Sequence, residues 1–143
     1  MIALNTARKT VTFGHRKVNP RVEYRLRRIA QINDSPTLAE RFPKLKSLRA
    51  VIEHFDCVST ARMGGMKYQI NLAHGKSLLS FNCANSHCVG GDYDLTEVLA
   101  QAVAAKRKVL EGELRCQGIR HNKELKEKTP CQGILRYKLT LGY

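Results

Sequence analysis

Apolar and polar residues change their period several times along the chain, and each change marks an element. From Asn19 to about Asn33, Val22, Leu26 and Ile29 share one helical face, while Arg21, Arg25 and Arg28, with Arg27 nearby, share another. Asn19 supplies an N-cap and Pro20 the first helical position. Asn33-Asp34-Ser35-Pro36 ends this helix, and Ser35-Pro36 repeats the cap logic for a second, short helix that stops near Phe42-Pro43. The period then shortens to two. Leu48, Ala50, Ile52 and His54 alternate with Arg49, Val51, Glu53 and Phe55, which predicts a strand over 48–55, with a helix as the alternative. A loop over 56–66 follows, then a strand from Lys67 to Ala73 with Tyr68, Ile70 and Leu72 on one side. His74-Gly75-Lys76 predicts a tight turn that returns as a partner strand from Ser77 to Asn82.

Asp94 and Glu97 have the spacing of a capping box for a helix running to about Lys106. The basic trio Lys106-Arg107-Lys108 suits that helix's C-terminal end. Leu110, Gly112, Leu114 and Cys116 then share one strand face. The last strand is the clearest, with Leu135, Tyr137, Leu139, Leu141 and Tyr143 alternating against Arg136, Lys138 and Thr140. The expected fold class is α+β: an antiparallel sheet with two N-terminal helices and a C-terminal lobe carrying one inserted helix. The expected organisation is a basic flexible arm over 1–18, a helical segment over 19–46, and the sheet with its cysteine site over 47–143.

The cysteines change this picture from a plain α+β domain to a metal-assisted one. Cys83 and Cys88 flank a four-residue turn, and Cys116 and Cys131 each open a Cys-Gln-Gly-Ile tetrapeptide. A hairpin between the strands around Cys116 and Cys131 places those two across from each other, and all four sulfurs can then meet at one end of the sheet. Four soft thiolates on strand ends and tight turns suit one structural Zn2+. Disulfides, unpaired buried thiols or a redox pair are the other readings of such cysteines, and no Cys-x-x-Cys at a helix start supports the last. His87 and His121 are the residues that can substitute for a cysteine in a mixed ligand set. Cys57 reads as a small buried apolar residue.

The segment 67–143 resembles the zinc-ribbon class, in which two hairpins clamp one structural zinc. It departs from that class in lacking the usual Cys-x2-Cys knuckle in both halves. Neither a phosphate-binding loop nor a Ser-His-Asp arrangement nor paired carboxylates stand out, so no reaction is indicated.

Charge adds the partner class. The 143 residues carry 25 Lys and Arg against 12 Asp and Glu, a formal +13. Residues 1–50 hold 12 basic and 3 acidic residues, 51–105 hold 3 and 5, and 106–143 hold 10 and 4. The excess therefore lies at the two ends, which points to a polyanion. The candidate contacts are Arg8, Lys9, Arg16 and Lys17 in the arm, Arg21, Arg25, Arg27 and Arg28 on the first helix, and Arg120 and Lys123 in the loop between Cys116 and Cys131. Arginine suits phosphate, and aromatics are scarce, so backbone-led, salt-sensitive binding of folded nucleic acid is expected. RNA, in a ribonucleoprotein such as the ribosome, is preferred to DNA. A module docking on an acidic or nucleic-acid-binding protein is the alternative, and a DNA-binding regulator the third. No apolar run is long enough for a membrane helix, and the N-terminus lacks the apolar stretch of a secretory signal, so a cytoplasmic location is the default. An organellar transit peptide has a similar basic N-terminal composition.

Overall fold

The structure, a computed structural model, describes residues 19–120 and 128–143, together with the backbone of 12–13, 16–17, 121–122 and 127. Among these, three helices and eleven strands form an α+β fold whose pairings are antiparallel. The strands are β1 Thr12–Phe13, β2 Arg16–Lys17, β3 Ser47–Phe55, β4 Arg62–Ile70, β5 Ser80–Asn82, β6 Cys88–Val89, β7 Asp92–Asp94, β8 Val109–Arg115, β9 Ile119–Asn122, β10 Glu127–Pro130 and β11 Ile134–Gly142. The helices are α1 Pro20–Asp34, α2 Leu38–Arg41 and α3 Thr96–Ala104.

The main sheet has the order β4-β3-β11-β8. Period-two patterning makes it two-faced. Leu48, Ala50 and Ile52 of β3 lie opposite Leu141, Leu139 and Tyr137 of β11, and the leucines, Ala50 and Ile52 are buried. Leu95, Leu99 and Ala102, in and just before α3, join the same core cluster, as do Leu38, Phe42 and Leu45 around α2. The opposite face is polar. Arg136 pairs with Glu113 at 3.1 Å, Lys138 with Glu111 at 3.8 Å, and Arg62 with Glu53 at 3.1 Å. The alternation expected for β3 and for the last strand is therefore the alternation that the sheet uses.

Four expectations are corrected. The strand after the loop spans Arg62–Ile70 rather than 67–73, so Gly64 and Gly65 lie inside it, opposite His54 and Glu53. The turn is tighter than its composition suggests because Asp56 organises it: its carboxylate accepts the N–H groups of Val58 and Ser59 at 3.1 and 2.9 Å. Second, the hairpin between 67–73 and 77–82 does not form. β4 pairs with β3, and Ser80–Asn82 pairs with Asp92–Asp94. The chain between them turns at Asn71, whose side chain accepts the N–H groups of Ala73 and His74, and docks on the α2 segment through Leu38 N–H to Gly75 O at 2.8 Å.

Third, α2 starts from Thr37, not Ser35. Thr37 and Glu40 form a reciprocal capping box. Ser35 instead closes α1, donating its hydroxyl to Ile32 O at 2.6 Å. Fourth, α3 begins at Thr96 after Leu95, and Asp94 accepts the N–H of Thr96 at 2.8 Å rather than that of an N3 residue. Within the segment expected to be an irregular arm, β1 and β2 pair as a short ladder, Thr12 with Lys17 and Phe13 with Arg16. Residues 1–11 of that arm lie outside the described residues.

Candidate metal centre

Two chain excursions deliver the cysteines. The first is the turn from β5 into β6, which carries Cys83 and Cys88. The second leaves the main sheet after β8, runs through the β9–β10 hairpin and returns at β11. It carries Cys116 just after β8 and Cys131 just before β11. Backbone bonds close the base of this excursion: Cys116 N–H to Gly133 O at 2.8 Å, Cys131 N–H to Gly118 O at 2.9 Å and Gln132 N–H to Cys116 O at 3.1 Å. The two Cys-Gln-Gly segments therefore lie side by side, as their repetition suggests. β9 also pairs with β6, Arg120 opposite Cys88, which ties the two excursions together.

The four Sγ atoms lie within 4.8 Å of one another, and all four residues are buried. Cys83 and Cys131 are 3.6 Å apart, and Cys88 and Cys116 are 3.5 Å apart. A tetrahedral ion with metal–sulfur bonds of about 2.3 Å places its ligands at about 3.8 Å from one another. The sulfurs are close to that spacing, and all five cysteines of the chain are free thiols. The cluster is positioned to hold a metal ion, and an all-thiolate donor set suits a soft or borderline ion.

The surroundings are built around sulfur. Asn85 N–H points at Cys83 Sγ at 3.5 Å and Gly118 N–H at Cys116 Sγ at 3.4 Å, each from two residues beyond the cysteine. Tyr93, buried, donates its hydroxyl towards Cys83 Sγ at 3.9 Å. Gly91 and Gly118 allow the close approach. A Cβ on Gly91 would collide with the sulfurs of Cys116 and Cys88, and one on Gly118 with that of Cys88. Hydrogen bonding with the Cys116 thiol pulls Cys83 down to about 5. Burial pushes Cys88 up to about 12, and Cys116 is pushed up by that same bond to Cys83 and by burial. Crowded buried sulfurs cannot all ionise without a cation among them, and a metal dication supplies that charge.

The arginines lie where the stripe of the first helix did not suggest. Arg21 Nε donates to Cys88 O at 3.1 Å, and Arg21 Nη2 to Asn85 O at 3.1 Å and Cys83 O at 3.3 Å. Arg28 pairs with Asp92 at 2.6 Å and Asp94 at 2.8 Å, and Tyr24 donates to Asp92 at 3.1 Å. Arg25 is half-buried on the same side, where burial lowers its pKa. Val22, Leu26 and Ile29 are 47, 58 and 51% exposed. The arginine face of α1 turns to the body and its apolar face to solvent. The reason is the chemistry of the surface beneath it, which offers carbonyls and carboxylates rather than aliphatic side chains.

Arg27 projects outward and lies 3.9 Å from Glu23. Arg120 pairs with Asp56 at 3.4 Å and points at Cys57 Sγ at 3.8 Å, and its pKa is raised first by the neighbouring Cys131 thiol. Arg8, Lys9 and Lys123 lie outside the described residues, and Arg16 and Lys17 are placed by backbone alone in β2. His87 is exposed and outside the sulfur cluster. Cys57 is half-buried rather than buried and donates to Cys131 O at 3.4 Å, beside the cluster but not in it. Sequence reasoning missed Tyr93, Gly91 and the Arg120–Asp56 pair. The double glycine two residues after Cys88 was the available signal for Gly91.

No family model matches the chain, and neither a curated protein nor a solved structure shows significant similarity to it.

Proposed function

We propose that this protein is a non-enzymatic, zinc-stabilised nucleic-acid-binding protein that engages RNA or a ribonucleoprotein. Zinc is the ion that four thiolates in a small cytoplasmic protein suit best. Four sulfurs fill a tetrahedral ion's coordination positions and leave none for a reactive water, so the metal's role is structural. The observation that carries the polyanion reading is the charge that cannot be paired internally. Even if each of the 12 acids held one cation, the formal excess of +13 would remain. A tetrathiolate zinc centre offsets only about two of these charges. Several acids are already engaged: Asp92 and Asp94 by Arg28, Asp56 by Arg120, Glu113 by Arg136. The unpaired cations are free to displace counterions from a phosphate backbone.

The test is RNA binding by the intact protein across a salt series, with a DNA duplex of equal length beside it, and gradient sedimentation of a lysate. The reading expects log affinity to fall linearly with log salt, RNA to be bound more tightly than DNA, and co-migration with RNA particles that nuclease abolishes. Slow sedimentation unaffected by nuclease, with no binding at low salt, would reject it. It would favour the alternative, a protein-docking module, to which the solvent-facing stripe of Val22, Leu26 and Ile29 lends support.

A further inference from the structure

Helix α1 contributes no buried residue to the core. Its hydrogen bonds to the body, among the described residues, gather around the turn that carries Cys83 and Cys88 and the strand at Asp92. The guanidinium of Arg21 takes the carbonyls of Cys83, Asn85 and Cys88, three groups of the turn that carries the first two metal ligands. The second anchor, Arg28 with Tyr24, grips Asp92, the residue after Gly91, whose Cα packs against the sulfurs of Cys88 and Cys116. Asp92 is itself held by Ser80 Oγ at 2.7 Å, at the other end of the β5–β7 ladder. Both anchors of α1 thus rest on backbone whose position depends on the cysteine cluster.

We propose that Arg21 is a positioning residue of the metal centre, and that metal occupancy and the docking of α1 are linked. The inference rests on the metal reading above. Metal binding at Cys83 and Cys88 fixes the turn between them with its carbonyls converging. Arg21 binds that arrangement of carbonyls, and a splayed turn presents no such fork-shaped target. The linkage is reciprocal: whatever metal adds to the docking of α1, docked α1 adds to metal affinity by the same factor. With Val22, Leu26 and Ile29 turned outward and no fully buried residue in α1, little apolar burial holds the helix when the turn opens. Arg21 and Arg28 thereby answer to the state of the cysteines.

The experiment uses the full chain and Zn2+ as the probe, with two readouts: zinc affinity by competition with a chromophoric chelator, and amide hydrogen exchange across residues 20–34. For Arg21→Ala the expected loss of zinc affinity is about 10- to 100-fold, the range for partners that orient metal ligands. Arg21→Lys recovers part of it, since a point charge cannot fork across three carbonyls. Arg28→Ala removes the other anchor without touching the 83–88 turn, and reciprocity requires it to weaken zinc as well. Removing zinc from the wild type strips protection from α1 while β3 and β11 keep theirs, and that same sheet protection certifies that each variant is folded. Wild-type zinc affinity in both alanine variants, or α1 protection indifferent to zinc, overturns the linkage. A wild-type chain that binds no zinc overturns the metal reading itself, and the linkage with it.

Discussion

Helices α1 and α3 are both amphipathic, yet they meet the protein by opposite faces. α3 buries Leu99 and Ala102 in the cluster that includes the sheet's inner leucines, so its apolar stripe faces the core as patterning leads one to expect. α1 has the better-separated arginine and apolar faces and packs the wrong way round by that rule. Its arginines bind the cysteine turn and the Asp92–Asp94 strand, and Val22, Leu26 and Ile29 face solvent. The difference lies beneath the helices. α3 meets aliphatic side chains, whose burial is favourable in proportion to apolar area. α1 meets three converging carbonyls and two carboxylates, which need donors if they are to leave water. Periodicity identifies the two faces of a helix, and the surface it lands on selects between them.

The largest effect that can break this contrast is loss of the platform under α1. Cys116→Ser should abolish stoichiometric metal uptake and unfold the lobe formed by the two cysteine excursions. Structural zinc in small zinc-finger peptides contributes about 10–16 kcal/mol. Elemental analysis and a thermal melt check this, and an unchanged melting temperature with one cysteine removed would refute a metal-dependent fold. Next in size is the matched pair Leu99→Ala and Leu26→Ala. The first empties a fully buried site and should cost about 2–5 kcal/mol in denaturant unfolding. The second truncates an exposed leucine on α1 and should stay within about 0.5 kcal/mol. Similar losses at both sites would mean that α1 packs by its apolar face after all.

The smallest effect sharpens the polar side of the comparison. Asp94 is partly buried, which by itself raises its pKa. The N–H and hydroxyl of Thr96 and the guanidinium of Arg28 outweigh that, so the carboxyl is held below its usual value. A carboxyl depressed in the folded state contributes stability that is fully present above its unfolded pKa, about 3.9, and is lost as pH falls through the folded value. Asp94→Asn keeps an acceptor for Thr96 and removes the charge that faces Arg28. The stability gap between wild type and this variant should be under about 1 kcal/mol at neutral pH, since the pair is half-exposed. It should close as the pH drops below 4. A gap that widened on acidification would show that Asp94 is not held ionised by Arg28.

Local chemistry made much of the molecule legible in advance. The alternation of 135–143 needs no tertiary context, because a period of two with one aliphatic face specifies a half-buried strand, whereas 48–55 also allowed a helix and becomes a strand through its pairing with β11 and β4. Asn19 caps α1 as its side chain requires, accepting Arg21 N–H at 2.9 Å. The cysteine quartet was legible from thiol chemistry and from the repeated Cys-Gln-Gly-Ile, and the structure brings all four together. Strand partners were less legible. Ser77–Asn82 looked like the return of a hairpin because sequence proximity favours that pairing. β4 instead pairs with β3, Ile70 opposite Leu48 and Tyr68 opposite Ala50, and the pairing continues to Phe55 and Arg62 across a register shift after His54.

What the amino-acid sequence determines by itself is the clearest periods, the Asn19 cap, the thiol donor set and an excess of positive charge. What only the tertiary structure decides is what those features face. Arg21 and Arg28 read in sequence as a stripe for a foreign polyanion, and in the fold they serve the chain's own carbonyls and carboxylates. Those acceptors lie more than 60 residues away in sequence. A guanidinium's choice between solvent, partner and its own backbone depends on acceptors that long-range folding alone brings within reach.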